Sequence, residues 1–458
     1  MKKQITTLAL ALLATIGVVG AQVHSAYFMT GASQRYDLNP ALTPDRGYFV
    51  VPVVGLHAGL YSNFLSADNF FYPTADGLVT YMNKAVSSED FLAKLPDVNR
   101  LSMDINDQIL GLGNYFRAGF WSVGVNLRSH TDFNIPKDFF ALTKTLAPGE
   151  YNITGFGIES NNFVEASFGY TFPVQDVFTI GVKAKALVGL AHMGMNLEQM
   201  NVKISDTEYR AEMAGSFEAN VNGMDFSNLK GEMTMEEFGD QLSNLGNNFS
   251  TGNIGSYGFA FDAGLEWLLM DGDLKLSAGV TDLGWLTWSE QNSYCATIDN
   301  VAYAFQGFDF KAGEAKFEKS DNINLSTSNE KISHKKQLHT TYLAGIEYNY
   351  LNDLLGFGAL WTSKQYGDYL FHQATAAVTV RPTRWFTFTL SDTFASHNMN
   401  TIGFALNFHT SFVNVFAAMD YVSLKYGTAN GGAIPIPLTQ KSLNCQLGLS
   451  LPLGVKNY

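Results

Sequence analysis

The sequence predicts an all-β protein: a closed antiparallel transmembrane β-barrel of about 14 strands. Three observations carry this. The chain opens with a secretory leader. Segment after segment alternates apolar residues with small or polar ones. Short turns join the segments at one set of ends, and long connections join them at the other.

The leader comes first. Lys2 and Lys3 form a positive start, an apolar run follows over 8–19, and Val19-Gly20-Ala21 offers the small side chains that a signal peptidase reads. Residues 1–21 are therefore read as a signal peptide, with the mature chain starting near Gln22. The run is shorter than the ~20 residues of a membrane anchor. Cys does not follow the cleavage site, so a lipoprotein anchor is not expected. Later apolar stretches are all broken by Gly, Thr, Ser, Asn or a charge, which excludes a helical bundle but not a barrel.

Composition agrees with a barrel. Aromatics make up 14% of the 458 residues, and charged residues only 16%, where ~25% is usual in soluble domains. A mean hydropathy near zero is what one apolar and one polar face average to. The net charge is −13, and removing Lys2 and Lys3 takes it to −15, which argues against nucleic-acid binding.

Alternation is clearest toward the C-terminus. Phe386, Phe388, Leu390 and Phe394 oppose Thr387, Thr389, Ser391 and Thr393, and Leu443, Cys445, Leu447 and Leu449 oppose Asn444, Gln446, Gly448 and Ser450. Further in, Phe259, Phe261, Leu265 and Trp267 oppose Gly258, Asp262, Gly264 and Glu266, while Tyr342, Ile346, Tyr348 and Tyr350 oppose Thr341, Gly345, Glu347 and Asn349. Short turns fall at 173–176, 271–273, 351–353, 381–384 and 409–410, rich in Pro, Gly, Asn and Asp. Long connections fall near 61–100, 131–160, 194–255, 285–336 and 426–439.

Counting from the short-turn side, strands are expected near 47–60, 101–114, 117–130, 161–172, 177–193, 256–270, 273–284, 337–350, 354–366, 369–381, 384–396, 399–408, 411–425 and 441–452. That even number puts both termini in the periplasm and makes 47–458 the barrel. Region 195–220 leaves a 16-strand alternative open, but its weak alternation and high polarity read better as a loop extension. Segments 136–146 and 233–245 carry helical patterns and are expected as short loop helices. Cys295 falls in a loop region and Cys445 on an apolar strand face, so two separate thiols are expected rather than a disulfide.

Segment 22–46 precedes the first strand. Asn39-Pro40 and Thr43-Pro44 disfavour helix before each proline, and proline cannot donate to a ladder. Tyr27, Phe28, Met29, Tyr36 and Leu38 need a surface to bury against, and the barrel's lower lumen is the nearest. The segment is expected to plug the periplasmic mouth through Arg35, Leu38, Asn39 and Pro40, with Arg35 paired to an inward carboxylate such as Glu266 or Glu165. Parity also places Glu165, Lys183, Lys185, Asp262, Glu266, Lys275 and Glu347 on the lumen face, because a lysine facing mid-membrane lipid costs ~2–4 kcal/mol.

Residues 35–44 read R-Y-D-L-N-P-A-L-T-P, followed by Gly47-Tyr48 and Ser62-Asn63; Thr281-Asp282-Leu283-Gly284 with Trp288 has the look of a strand-end signature. In these the chain resembles an uncharacterised family of Bacteroidota outer-membrane barrels, a domain of unknown function. That family is similar to fatty-acid-transporter-like barrels, with 14 strands and an N-terminal plug, and to barrel partners of the type IX secretion system. The transporter's own plug sequence is not recognisable here, so no ligand residue carries over. The alternation also stops near Leu451, before the terminal Tyr458.

The resemblance implies an outer-membrane location in contact with lipid and passive uptake of a small hydrophobic ligand. The alternative is a non-transporting barrel that scaffolds a secretion-system or surface partner. No enzyme is expected: G-x-S-x-G, H-E-x-x-H, phosphate-loop and paired-Cys motifs are absent from the sequence, and no cofactor or metal is expected. His334 and His339, beside Lys335 and Lys336, read as a basic loop patch, and Asp271-Gly272-Asp273 as a hairpin turn rather than a calcium loop.

Overall fold

Period-2 alternation gives each segment one apolar face and one polar face, and a closed ring turns the first toward lipid and the second inward. The computed structural model describes residues 23–51, 55–74, 77–117, 119–145, 147–175, 177–205, 209–223, 232–234, 255–305, 309–311, 314–316, 324–327, 333–367, 369–395, 399–422, 426–429, 434–437 and 442–454. The leader and Tyr458 lie outside them.

Fourteen staves form the ring. They are β1 (Gly47–Val50, resuming as Gly55–Ser62), β2 (Val98–Phe116), β3 (Gly119–Pro136), β4 (Phe156–Val174), β5 (Phe178–Ile204), β6 (Tyr257–Leu269) and β7 (Leu274–Trp288). The others are β8 (His334–Gln337, resuming as Thr341–Tyr350), β9 (Leu355–Tyr366), β10 (Tyr369–Thr383), β11 (Phe386–Ala395), β12 (Met399–His409), β13 (Asn414–Val422) and β14 (Ser442–Leu453). Each pairs antiparallel with the next, and β14 pairs with β1 to close the ring, for example Gly47 with Leu453 and Leu60 with Leu443.

The ring leaves the 16-strand alternative unused. β5 runs for 27 residues, ~90 Å at about 3.3 Å each, far more than a membrane needs. Its first part, to Val188, pairs with β6. From Ala191 onward it pairs instead with Tyr209–Val221, which in turn pairs with Ser293–Phe305. Region 195–220 is thus a sheet extension beyond the ring. Cys295 lies in that sheet rather than in a loop, and both it and Cys445 are free thiols. Segment 136–146 supplies a helix, Lys137–Thr145. Met233 and Thr234 belong to a short strand, Glu232–Thr234, and the remainder of 233–245 lies outside the described residues.

Outside, Phe168, Phe259, Phe261, Ile346, Phe357, Leu390 and Leu447 are exposed, and Tyr170, Phe172, Trp267, Tyr348, Tyr350, Trp385 and Phe408 ring the short-turn end. The second set is an aromatic girdle of the kind found where a barrel meets the lipid headgroups. The turns use the residues such turns tolerate: Asn352 and Asp353 hold positive φ of 53° and 64°.

Candidate functional site

Residues 23–44 lie inside the ring, with Asp45 and Arg46 exposed at its short-turn end. They form a 3₁₀ turn, His24–Phe28, and one short helix, α1 (Gln34–Leu38), which stops where Asn39 turns extended before Pro40. Tyr27, Phe28, Met29, Leu38 and Leu42 are buried against an inward apolar wall of Leu343, Leu360, Ala377, Ala405, Phe416 and Ala418.

The barrel wall is recessed to receive this segment. Inward glycines sit where plug atoms occupy the space a Cβ would take: Gly169 under Tyr36, Gly181 under the Pro40 carbonyl, Gly264 under Asn39, Gly345 under Tyr27, Gly358 under Phe28 and Gly448 under Gln34. Polar contacts fix the register. Thr171 Oγ1 donates to the Pro40 carbonyl at 2.6 Å, Asn39 Nδ2 donates to the Ala278 carbonyl at 3.3 Å, and the Tyr27 and Ser277 hydroxyls are 2.6 Å apart.

Arg35 is buried, but its partner is neither Glu266 nor Glu165. Nη2 donates to Glu347 Oε2 at 2.8 Å, and Nε donates to the Tyr27 carbonyl at 2.7 Å. Arg381 Nη2 donates to the other Glu347 oxygen at 2.8 Å. The short helix α1 turns Arg35 toward the inward stripe of β8, and Glu165 is held elsewhere, by Arg128 at 2.7 Å and Asn126 Nδ2 at 3.0 Å.

Beyond the plug lies a charged layer. Lys183 reaches Asp37 at 3.2 Å and lies over the Tyr36 ring. Lys185 contacts Asp262 at 2.8 Å and Asp282 at 2.6 Å, and Arg128 grips Asp282 through two nitrogens at 2.7 and 2.9 Å. Glu165, Lys183, Lys185 and Asp262 are therefore buried together inside, Glu347 is buried apart from them between Arg35 and Arg381, and Glu266 and Lys275 are half-buried nearer the short turns.

Two members of the layer were not anticipated. Arg128 follows Asn126 on the inward parity of β3, so alternation alone could have found it. Asp282 could not be found that way. A bulge opposite Asp262 breaks the β6–β7 register, and Asp282 takes φ of 58°, which swings it inward. The Thr281-Asp282-Leu283-Gly284 signature is this bulge.

The expected basic patch is also divided. Lys335 lies 3.8 Å over the Trp285 ring and Lys336 meets Glu159 at 3.3 Å. His334 meets Glu218 at 2.7 Å, whereas His339 turns inward to Asp104 and Asp132, both at 3.0 Å.

The open space matches this layering. A vestibule of about 800 Å³ under the plug is lined by Asp45, Arg46, Lys275, Asp353, Arg384 and their neighbours. On the other side of the plug are two small cavities, of about 70 and 60 Å³, among the charged groups.

Residues 40–420 match the family of unknown function DUF5723. The chain belongs to that family. No curated protein matches it. Among solved structures, this DUF5723 chain is similar to the Pseudomonas putida toluene transporter TodX, at 9% identity over 92% of this chain and 94% of that one, with a TM-score of 0.43. It is also similar to the CymD monoaromatic hydrocarbon channel, at 10% identity over 96% and 100%, with a TM-score of 0.43. A third is the translocator domain of the autotransporter NalP from Neisseria meningitidis, at 6% identity over 89% and 88%, with a TM-score of 0.33.

Proposed function

We propose that the protein sits in the outer membrane and admits small hydrophobic molecules by diffusion, with its N-terminal segment as a plug that must withdraw. The reading is carried by the division of the lumen wall. Leu343, Leu360, Ala377, Ala405, Phe416 and Ala418 make an apolar face behind the plug, and the ion-paired layer of Arg128, Glu165, Lys185, Asp262 and Asp282 stands apart from it. With the plug seated, the inner cavities of about 70 and 60 Å³ hold a few waters each, not a solute. With the plug withdrawn, the apolar face is the surface that an uncharged aromatic or aliphatic solute would follow. The leader and the outward apolar belt support the membrane location.

The test is reconstitution in liposomes of the mature chain and of a chain lacking residues 22–44. Uptake of a labelled monoaromatic and of a labelled sugar is followed in both. The deletion should remain a heat-modifiable barrel and pass the aromatic faster than the full chain does. If neither protein passes the aromatic above protein-free vesicles, the transport reading fails. The extended sheet of β5, Tyr209–Val221 and Ser293–Phe305 favours the second reading, a scaffold for a secretion or surface partner. Removal of that sheet would then abolish partner co-purification and leave permeability unchanged.

A further inference from the structure

Three metal-capable side chains converge in the lumen beside the Arg128 layer, and Asp104 and His130 share a small cavity with it. Asp104 on β2 and His130 on β3 are direct cross-strand partners, and both are buried. His339 comes from the three-residue interruption in β8. There the Leu338 N–H donates to the Gly284 carbonyl at 3.1 Å and Thr340 Oγ1 donates to the Asp282 carbonyl at 3.0 Å. The interruption re-aims His339 at the pair on β2 and β3, as irregularities in strands commonly do at sites.

Asp104 Oδ1 faces Nδ1 of both imidazoles, 3.0 Å from His339 and in closer contact with His130. One ligand atom from each residue lies within 4.8 Å of the other two. The ring centroids of His130 and His339 are 4.6 Å apart. The surroundings are those of a built site. Asp132 Oδ2 takes the far nitrogen of His339 at 3.0 Å, the outer carboxylate that orients a metal-bound imidazole and raises its basicity. Lys364 occupies the other oxygen of Asp104 and leaves Oδ1 to point inward. His130 Nε2 has no hydrogen-bond partner among the described residues, so that nitrogen can hold the ring proton when Nδ1 donates its lone pair.

His130 lines both inner cavities, and His339 and Asp132 line the smaller one. Either cavity has room for a water to complete a coordination shell. Two imidazole nitrogens and one carboxylate oxygen suit zinc and its first-row neighbours, whereas calcium and magnesium require oxygen donors.

We propose that Asp104, His130 and His339 bind one divalent transition-metal ion of the zinc class inside the lumen, through Oδ1 and two Nδ1 atoms, with water as the fourth ligand. The ion ties β2, β3 and β8 together across the lumen and leaves one coordination position open to solute.

The experiment is zinc titration of the full mature chain, folded in detergent micelles, by calorimetry. Cobalt substitution reports tetrahedral geometry by visible absorption. One zinc per chain is expected. His130→Ala and the volume-conserving His339→Gln should each lose it while remaining heat-modifiable barrels. Asp132→Asn should keep the site and weaken it about 10–100-fold. His334→Ala should bind as the wild type does, since His334 belongs to a separate cluster with Glu218. A wild-type chain that takes up no stoichiometric zinc overturns the proposal. So does uptake that survives both the His130 and His339 substitutions.

Discussion

Gly358 and Phe28 offer a direct measurement of how tightly the plug is seated. A Cβ built on Gly358 meets the Phe28 ring; Cζ would be 3.0 Å away, and Cε1 and Cδ1 would be nearer still. Phe28 is only 1% exposed and packed on every side, so it has little room to retreat. Gly358→Ala should therefore cost about 1–3 kcal/mol, the usual penalty for forcing extra atoms into a filled core. Phe28→Ala should cost about 3–5 kcal/mol from lost burial and the cavity left behind. The double variant places the new methyl in the vacated space, so the two costs should fall short of their sum by about 1–3 kcal/mol, the clash no longer made. The assay is reversible denaturant unfolding from lipid vesicles, followed by tryptophan fluorescence, for all four corners of the cycle. Additivity to within about 0.5 kcal/mol would mean that the two residues do not touch, and the seating of the plug described above would be wrong.

Phe388 faces outward and Thr389 inward, so Phe388→Arg should cost about 2–4 kcal/mol and block insertion. Thr389→Arg should still yield a heat-modifiable barrel but raise its permeability, because Thr389 Oγ1 touches Met29 Sδ at 3.0 Å; equal loss of barrel in both would contradict the facing. Glu347→Leu should destabilise by about 3–5 kcal/mol, since it strands both Arg35 and Arg381, whereas Arg35→Leu leaves Glu347 paired with Arg381 and should cost less. The reverse order in vesicle unfolding would count against that shared carboxylate. Burial, with the Lys364 charge nearby, pushes the His24 imidazole from its ordinary 6.5 down to about 4. The unfolded chain then takes up that proton first, so stability present above pH 6.5 should fall toward pH 4, by at most about 1.4 kcal/mol per pH unit. His24→Gln should remove that share of the acid sensitivity, and an unchanged pH profile would exclude His24 as its source.

The ring was legible because its signal is local. Parity along each stave, read against the cost of charge in lipid, places Glu165, Lys185, Asp262 and Glu347 inside without any knowledge of their neighbours. Turn chemistry does the same for the short ends. The pairing of Arg35 with Glu347 depends on how one turn of helix is aimed inside a closed lumen, and no periodicity reports that. Asp282 was hidden for a related reason: one bulge reverses the parity on which the reading depends. The glycine seats were visible only as composition. Gly264 and Gly358 look like ordinary small residues on a polar face until the plug atoms above them are in place. His339 read as surface because Lys335 and Lys336 stand beside it, while the interruption that turns it inward is a feature of β8 as a whole.

The glycine seats also bear on the closure of the ring. The segment that precedes the first stave rests on Gly169 of β4, Gly181 of β5, Gly264 of β6, Gly345 of β8, Gly358 of β9 and Gly448 of β14. It therefore touches staves far along the chain, including the one that shuts the seam against β1. A ring whose ends are so far apart in sequence pays a loop-closure entropy before any pairing rewards it, and folds slowly as a result. The seats lie on six staves, so the full set of contacts exists only when those staves stand side by side, and the segment rewards the closed ring rather than any single hairpin. The N-terminal segment thus links staves that are remote from one another in the chain.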